Sequence, residues 1–225
     1  MAKTVTLATL RTQCRDRFEI SSDQVTDSTL NAWINAGYFK LYNHLLRHAP
    51  DWYVSSDTQS LTSGTRSYNL PSGCFRVRRV DLLDGANQVS LQTYAFAEEN
   101  VLQRASVATR SSYRYCVSGS TIRIAPLPTE NITNGLTVWH NPAPATLSAD
   151  GDTIDGVSGW EEFIILDVGI RTYHKLDWDS VPLVMERKDI IDLIKSLAST
   201  KDAANPKRIR DTVGETGLGG GDPWY

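Results

Sequence analysis

The apolar residues of this chain change their period twice, and that change decides most of what it can become. Leu7, Leu10, Cys14 and Phe18 recur at helical spacing, as do Leu30, Trp33, Ile34, Gly37, Tyr38, Leu41 and Leu45. From Trp52 to about Pro142 the pattern turns to alternation, the signature of half-buried strands. After Asn141 the helical period returns, first in Trp160, Phe163, Ile164, Leu166, Val168, Ile170 and Tyr173, then in a segment opening at Ser180-Val181-Pro182. Two pairs of helices therefore flank a run of strands. One pair is too thin to bury its stripes alone, so the pairs are expected to pack together and bring the two ends of the strand region close in space.

The expected fold is α+β. A bundle of about four helices (1–51 and 143–203) is interrupted by a small antiparallel β-domain (52–142) and followed by an extended tail (204–225). The first helix spans 6–19. A polar turn at Ser21–Thr26 leads to a second, capped by Asp27 or Ser28 and ended by Pro50. Gly37, inside an apolar stripe, marks a close approach by another backbone. Within the β-domain two strands surround a Ser63-Gly64 turn. Phe75, Val77, Val80 and Leu82 alternate only if a residue is skipped near Arg78-Arg79, which predicts a β-bulge. Asp84-Gly85 is a turn before a Val89–Leu91 strand, and Phe96–Ala105 one short helix. Tyr113, Tyr115 and Val117 alternate with Arg114 and Cys116, a Ser118-Gly119-Ser120 turn leads into Ile122 and Ile124 as a hairpin, and Leu136–His140 adds a strand. The long α-helix at 160–173 carries apolar residues on most of its circumference and is expected at the centre. In the last helix Ser180 is the cap, and Val184, Ile191 and Ala198 join Leu183, Ile190, Ile194 and Leu197 on the apolar side.

No residue pattern supplies a catalytic apparatus. His44 and His48 lie four apart on a helix but no HExxH motif or later acidic ligand accompanies them, so they are read as a solvated face. His174 and Asp177 lack a G-x-S-x-G nucleophile elbow. Asp150, Asp152 and Asp155 lack the alternation and closing glutamate of a calcium loop and read as turn and helix lead-in. Gly214, Gly217 and Gly219–Gly221 have no preceding strand and no Lys-Ser/Thr, so they form no phosphate loop. Three widely spaced cysteines, Cys14, Cys74 and Cys116, form no CxxC pair and read as buried thiols in a reducing compartment. Neither a cofactor nor a metal is expected, and the chain is not read as an enzyme.

A net charge of −3 gives no footprint for wrapping nucleic acid or for an anionic membrane. Met1–Leu10 has no signal-peptide core, and no run of about 18 apolar residues exists to span a bilayer, so the protein is expected to be soluble and made in cytoplasm. Candidate contacts are therefore with other proteins. Strand arginines Arg76, Arg78, Arg79, Arg114 and Arg123 are either a solvated, edge-guarding surface or a face for an acidic neighbouring subunit. The last residues, Gly219, Gly220, Gly221, Asp222, Pro223, Trp224 and Tyr225, follow a basic stretch with Lys207, Arg208 and Arg210. Burying both aromatics would remove roughly 300–500 Å² from water, worth on the order of 8–12 kcal/mol at most. Ordering that segment costs roughly 7–14 kcal/mol of backbone entropy. The two nearly cancel, so the tail is expected to become fixed only against a multimeric partner.

Several segments, taken in their order, resemble the tailed-bacteriophage head-to-tail adaptor (connector) proteins. They are Arg66-Ser-Tyr68-Asn-Leu70-Pro71, the hairpin Tyr113 to Pro128, the Asp-rich lead into Trp160-Glu-Glu-Phe163, and the terminal tail. The likeness covers roughly residues 5–200. It implies a non-enzymatic virion protein of the neck, assembled in the host cytoplasm. Such a protein forms a ring of twelve copies beneath the portal protein, with its tail running up the portal and its β-domain facing the next tail or neck protein. DNA then passes through the channel without sequence-specific binding. Two other readings stand beside it: a tail-side completion or terminator ring, and a small carbohydrate- or ligand-binding β-sandwich whose aromatic candidates are Tyr113, Tyr115 and Trp139.

Overall fold

In the computed structural model, which describes residues 5–104, 112–154 and 160–198, both helical regions form and pack on each other. The first helix, α1 (Leu7–Phe18), is capped by Thr6, whose hydroxyl accepts from Thr9 N–H at 3.1 Å. The second, α2 (Asp27–His48), starts one residue earlier than the sequence pattern suggested: Thr26 is the cap, its hydroxyl accepting from Thr29 N–H at 3.4 Å. Asp27 instead occupies the first turn, where its carboxylate suits the helix dipole and takes a hydrogen bond from Arg15 at 2.6 Å.

Then follow β1 (Ser55–Leu61), β2 (Ser67–Asn69), β3 (Cys74–Asp84), β4 (Asn87–Ser90) and β5 (Gln92–Thr93). A 3₁₀ turn at Phe96–Glu98 runs into α3 (Glu99–Gln103), so the predicted helix at Phe96 is split in two. The strands resume as β6 (Arg114–Ser118), β7 (Thr121–Ala125) and β8 (Ile132–Pro142). The long helices α4 (Glu161–Lys175) and α5 (Val181–Ala198) complete the fold.

The strands make two four-stranded sheets, ordered β1-β8-β3-β4 and β2-β7-β6-β5. All pairs are antiparallel except β5 with β6. The expected bulge is present: Val77 faces His140 and Arg79 faces Trp139, leaving Arg78 extra, and a second shift precedes it between Cys74 and Arg76. The β6–β7 hairpin forms about the predicted turn, with Tyr115 opposite Ile124 and Val117 opposite Ile122, although Val117 is exposed. One pairing differs. The strands around Ser63-Gly64 do not face each other; β1 joins the first sheet and β2 the second, so the turn is a corner between sheets. Tyr68 secures it, accepting from Thr62 N–H and donating toward the Thr62 and Thr65 carbonyls at 3.0–3.1 Å.

Two hydrophobic cores result. The first joins α1, α2, α4 and α5 through Leu10, Phe18, Leu30, Ile34, Leu41, Phe163, Ile164 and Ile194. The second lies between the sheets, built from Leu61, Val80, Leu82, Tyr113, Tyr115, Ile122, Ile124, Leu136 and Val138. Helix α4 is central to the first, and two glycines let neighbours approach it. A Cβ on Gly37 of α2 would stand 3.3 Å from Ile164 Cγ2, and one on Gly169 of α4 would overlap the Phe18 ring of α1. The apolar side of α5 is narrower than its sequence suggests. Ile194 is buried and Leu183, Ile190 and Ile191 pack on the core, whereas Val184 and Leu193 are exposed.

The strand region leaves and re-enters the bundle at one place. Asn141, fully buried, donates to the Pro50 and Tyr53 carbonyls at 2.8 and 3.1 Å, and Tyr42 of α2 donates to the Pro142 carbonyl. Trp52 stacks on Trp160 with ring centroids 5.5 Å apart and planes at 7°, tying the first residues of the strand region to the start of α4.

Candidate functional site

The residues singled out as possible chemistry do not converge on a reaction centre. Among the described residues no group of three or more His, Cys, Asp or Glu could hold a metal ion. His44 turns its ring edge onto Phe163 at 5.6 Å, so it is half-buried rather than on a solvated face. Burial, then the charges of Arg47, His48, Lys195 and Arg187, pushes its pKa down and favours neutral imidazole. His174 and Ser180 do meet, Oγ to Nε2 at 2.8 Å, but on the exposed turn between α4 and α5. Among the described residues no acid bonds the other ring nitrogen, and the pair fastens the turn. Asp152 accepts from the Ser148 and Ala149 N–H groups at 2.7 and 2.8 Å, and those backbone bonds hold its carboxyl below the ordinary value. Asp150 pairs with Arg11. The acidic stretch is thus spent on its own turn and on α1, with Asp155 outside the described residues.

Cys14 is buried, and burial pushes its thiol up to about 12 against the opposing charge of Arg17, so it is unreactive at neutral pH. Cys74 and Cys116 are only half-buried, contrary to the sequence reading. The aromatic candidates for a sugar site are spoken for. Tyr113 and Tyr115 lie in the second core, and Trp139 donates to Asp81 at 2.7 Å beneath the guanidinium of Arg79, 4.8 Å from its ring centre.

The strand arginines are divided between the sheets and mostly paired. Arg78 reaches Asp51 at 2.7 Å, and Arg79 reaches buried Asp81 at 3.0 Å. Arg123 holds buried Glu99 with Arg66, at 2.6 and 3.0 Å. Arg76 and Arg114 are exposed. Lys207, Arg208, Arg210 and the segment Gly219–Tyr225 lie outside the described residues.

One charged constellation had not been anticipated. Asp167 is 1% exposed in the middle of α4 and receives three cations from three helices. Lys40 of α2 binds it at 2.8 Å, Arg171 of α4 at 3.1 Å and Arg187 of α5 at 2.5 Å. Burial alone would raise its pKa; the Lys40 ammonium and the Arg171 guanidinium outweigh that and hold the carboxyl below the ordinary value. The signal was available in the sequence, since an acid inside the apolar run Phe163–Ile170 demands a partner.

The described residues thus form a helical bundle interrupted by a two-sheet region, with buried charge centres in both parts. The chain belongs to the SU10 adaptor protein family, whose model matches residues 5–181, from just before α1 to the first residue of α5. Membership makes it a phage adaptor-type protein, a structural part of the virion that works through contacts with other phage capsid or tail proteins. A comparison with curated proteins gives no match. Among the described residues no helix is long and apolar enough to cross a membrane.

Proposed function

We propose that this protein is the head-to-tail adaptor itself: a ring of copies that docks beneath the portal, lengthens the DNA channel and offers the attachment site for the tail. The observation that carries this reading is the adaptor-family match over 5–181 on an interrupted bundle. In this division of labour, 1–51 with 143–203 form the ring-building bundle. Residues 52–142 form the inserted domain that meets the next tail component. Residues 204–225 are the portal-docking segment, with Trp224 and Tyr225 as its anchors and Lys207, Arg208 and Arg210 crossing a neighbour. A net charge of −3 supports a conduit, because a strongly cationic lumen would retain the DNA it must release.

Deleting 214–225 tests the reading. The truncated chain is expected to keep its fold and melting temperature and to lose co-sedimentation with portal rings. Co-sedimentation undiminished by the deletion contradicts the docking role and favours a tail-side completion ring, in which this segment is dispensable.

A further inference from the structure

We infer that the cationic seam between α2 and α5 receives the acidic outer face of α1 from a second copy of this chain. The inference deepens the adaptor reading, and rests on it for the requirement that copies meet.

The seam is built around Asp167. One carboxylate fixes three cations there, so a net positive charge remains at the surface. Arg171 spends only its Nε on Asp167 and Arg187 only one Nη. Their other N–H groups have no acceptor among the described residues. Both guanidiniums are held in place by a buried acid while keeping donors unspent, which suits them to carboxylates from outside. Further cations adjoin: Arg47, Lys195 and Arg187 all bear on His44, and among the described residues only Lys195 of these has an additional local acid, Asp192 at 2.6 Å.

The complementary surface is on α1. Leu7, Leu10, Cys14 and Phe18 are its buried face. At about 100° per residue Asp16 stands about 200° from Cys14; Glu19 is the left-handed C-cap just beyond the helix, and Asp23 lies in the turn that follows. Asp16, Glu19 and Asp23 are exposed, and none has an ion-pair partner among the described residues. Nearby charges are compensated: Arg15 pairs with Asp27, and Arg17 with Glu162 and Glu186.

The two surfaces are opposed and level. Phe18 of α1 packs on Gly169, and Gly169 lies about 200° around α4 from Asp167, one short step along the same helix. A carboxylate face therefore lies across α4 from a guanidinium face at the same height. Two different faces meeting makes the contact heterologous, so copies add in one direction.

The experiment mixes ¹⁵N-labelled and unlabelled full-length chains, alone and with portal rings, and couples touching amines and carboxylates with a carbodiimide. Peptides of mixed isotope joining Lys40 or Lys195 to Asp16, Glu19 or Asp23 are expected. They should fall about tenfold near 1 M salt, where the screening length is about 3 Å. Replacing the three acids together (D16N, E19Q, D23N) leaves nothing there to couple, so that variant is read by sedimentation, where association between copies should weaken about tenfold. The replaced acids are exposed, so circular dichroism should show an unchanged fold. An absence of mixed links in both samples, or mixed links confined to other faces, overturns the inference. Attachment to portal rings, read in the same samples, shows separately whether the adaptor reading stands.

Discussion

Both halves of the molecule bury carboxylates, and the two are finished differently. In the sheet region Glu99, 5% exposed, is held by Arg66 and Arg123, and the Phe96 ring lies 5.6 Å from the Arg123 guanidinium. Asp81 in the first sheet is likewise closed, by Arg79, Trp139 and Ser90. In the bundle Asp167 collects three cations from three helices. The sheets match each of these buried acids to its own arginines, whereas the bundle leaves positive charge on one flank and negative charge on the other. Interior acids can thus either finish a fold or prepare a surface, and the surplus of partners tells which.

The largest test of that contrast is steric. Gly169→Val places a branched side chain where Phe18 lies, and α1 has to move. Overpacking of this kind costs about 1–3 kcal/mol or more. The expected result is a clear fall in the thermal midpoint, by several degrees at about 2–4 °C per kcal/mol for a chain of this size. Ile124→Ala removes a fully buried side chain from the second core and is expected to cost about 2–5 kcal/mol, toward the lower end in a small sheet. The two variants together ask whether the regions melt as one. Asn141, Tyr42 and the Trp52–Trp160 stack join them, so each substitution should shift a single transition. A second transition, appearing in one variant only, would show that the junction does not couple the cores.

Asp167→Asn is expected to cost no more than these, about 1–3 kcal/mol, because the three cations are partly exposed and regain water when released. The pH dependence is more telling. The folded carboxyl has a lowered pKa, so on acidification the unfolded chain takes up this proton first. The stabilisation is complete above about pH 4 and is lost as pH falls through the folded value. Urea titrations from about pH 3 to 7 should show a shallower acid limb in the Asn variant. An unchanged slope would mean that Asp167 is not charged in the folded protein.

Much of the fold was legible because its signals are local. Leu7, Leu10, Cys14 and Phe18 announce α1 by spacing alone, and the broken alternation at Arg78-Arg79 announces the bulge. Thr26, Asp27 and Ser28 all carry a capping oxygen, so the pattern located the start of α2 but not which oxygen caps it. Pairing was less legible. Ser63-Gly64 signals a reversal, yet whether the strands on either side face each other depends on β7 and β8, far along the chain. The exposure of Val184 depends on how much of α5 its neighbours cover, which no spacing reports. Asp167 shows that a polar residue in an apolar run is a readable demand, while its answer was not readable: Lys40 lies 127 residues away and Arg187 twenty.

Electron microscopy of the full chain mixed with portal rings, beside the chain lacking 214–225, bears most directly on the adaptor account. Class averages are expected to show a second ring coaxial with the portal for the full chain and bare portals for the truncated one. Bare portals in both samples would contradict it.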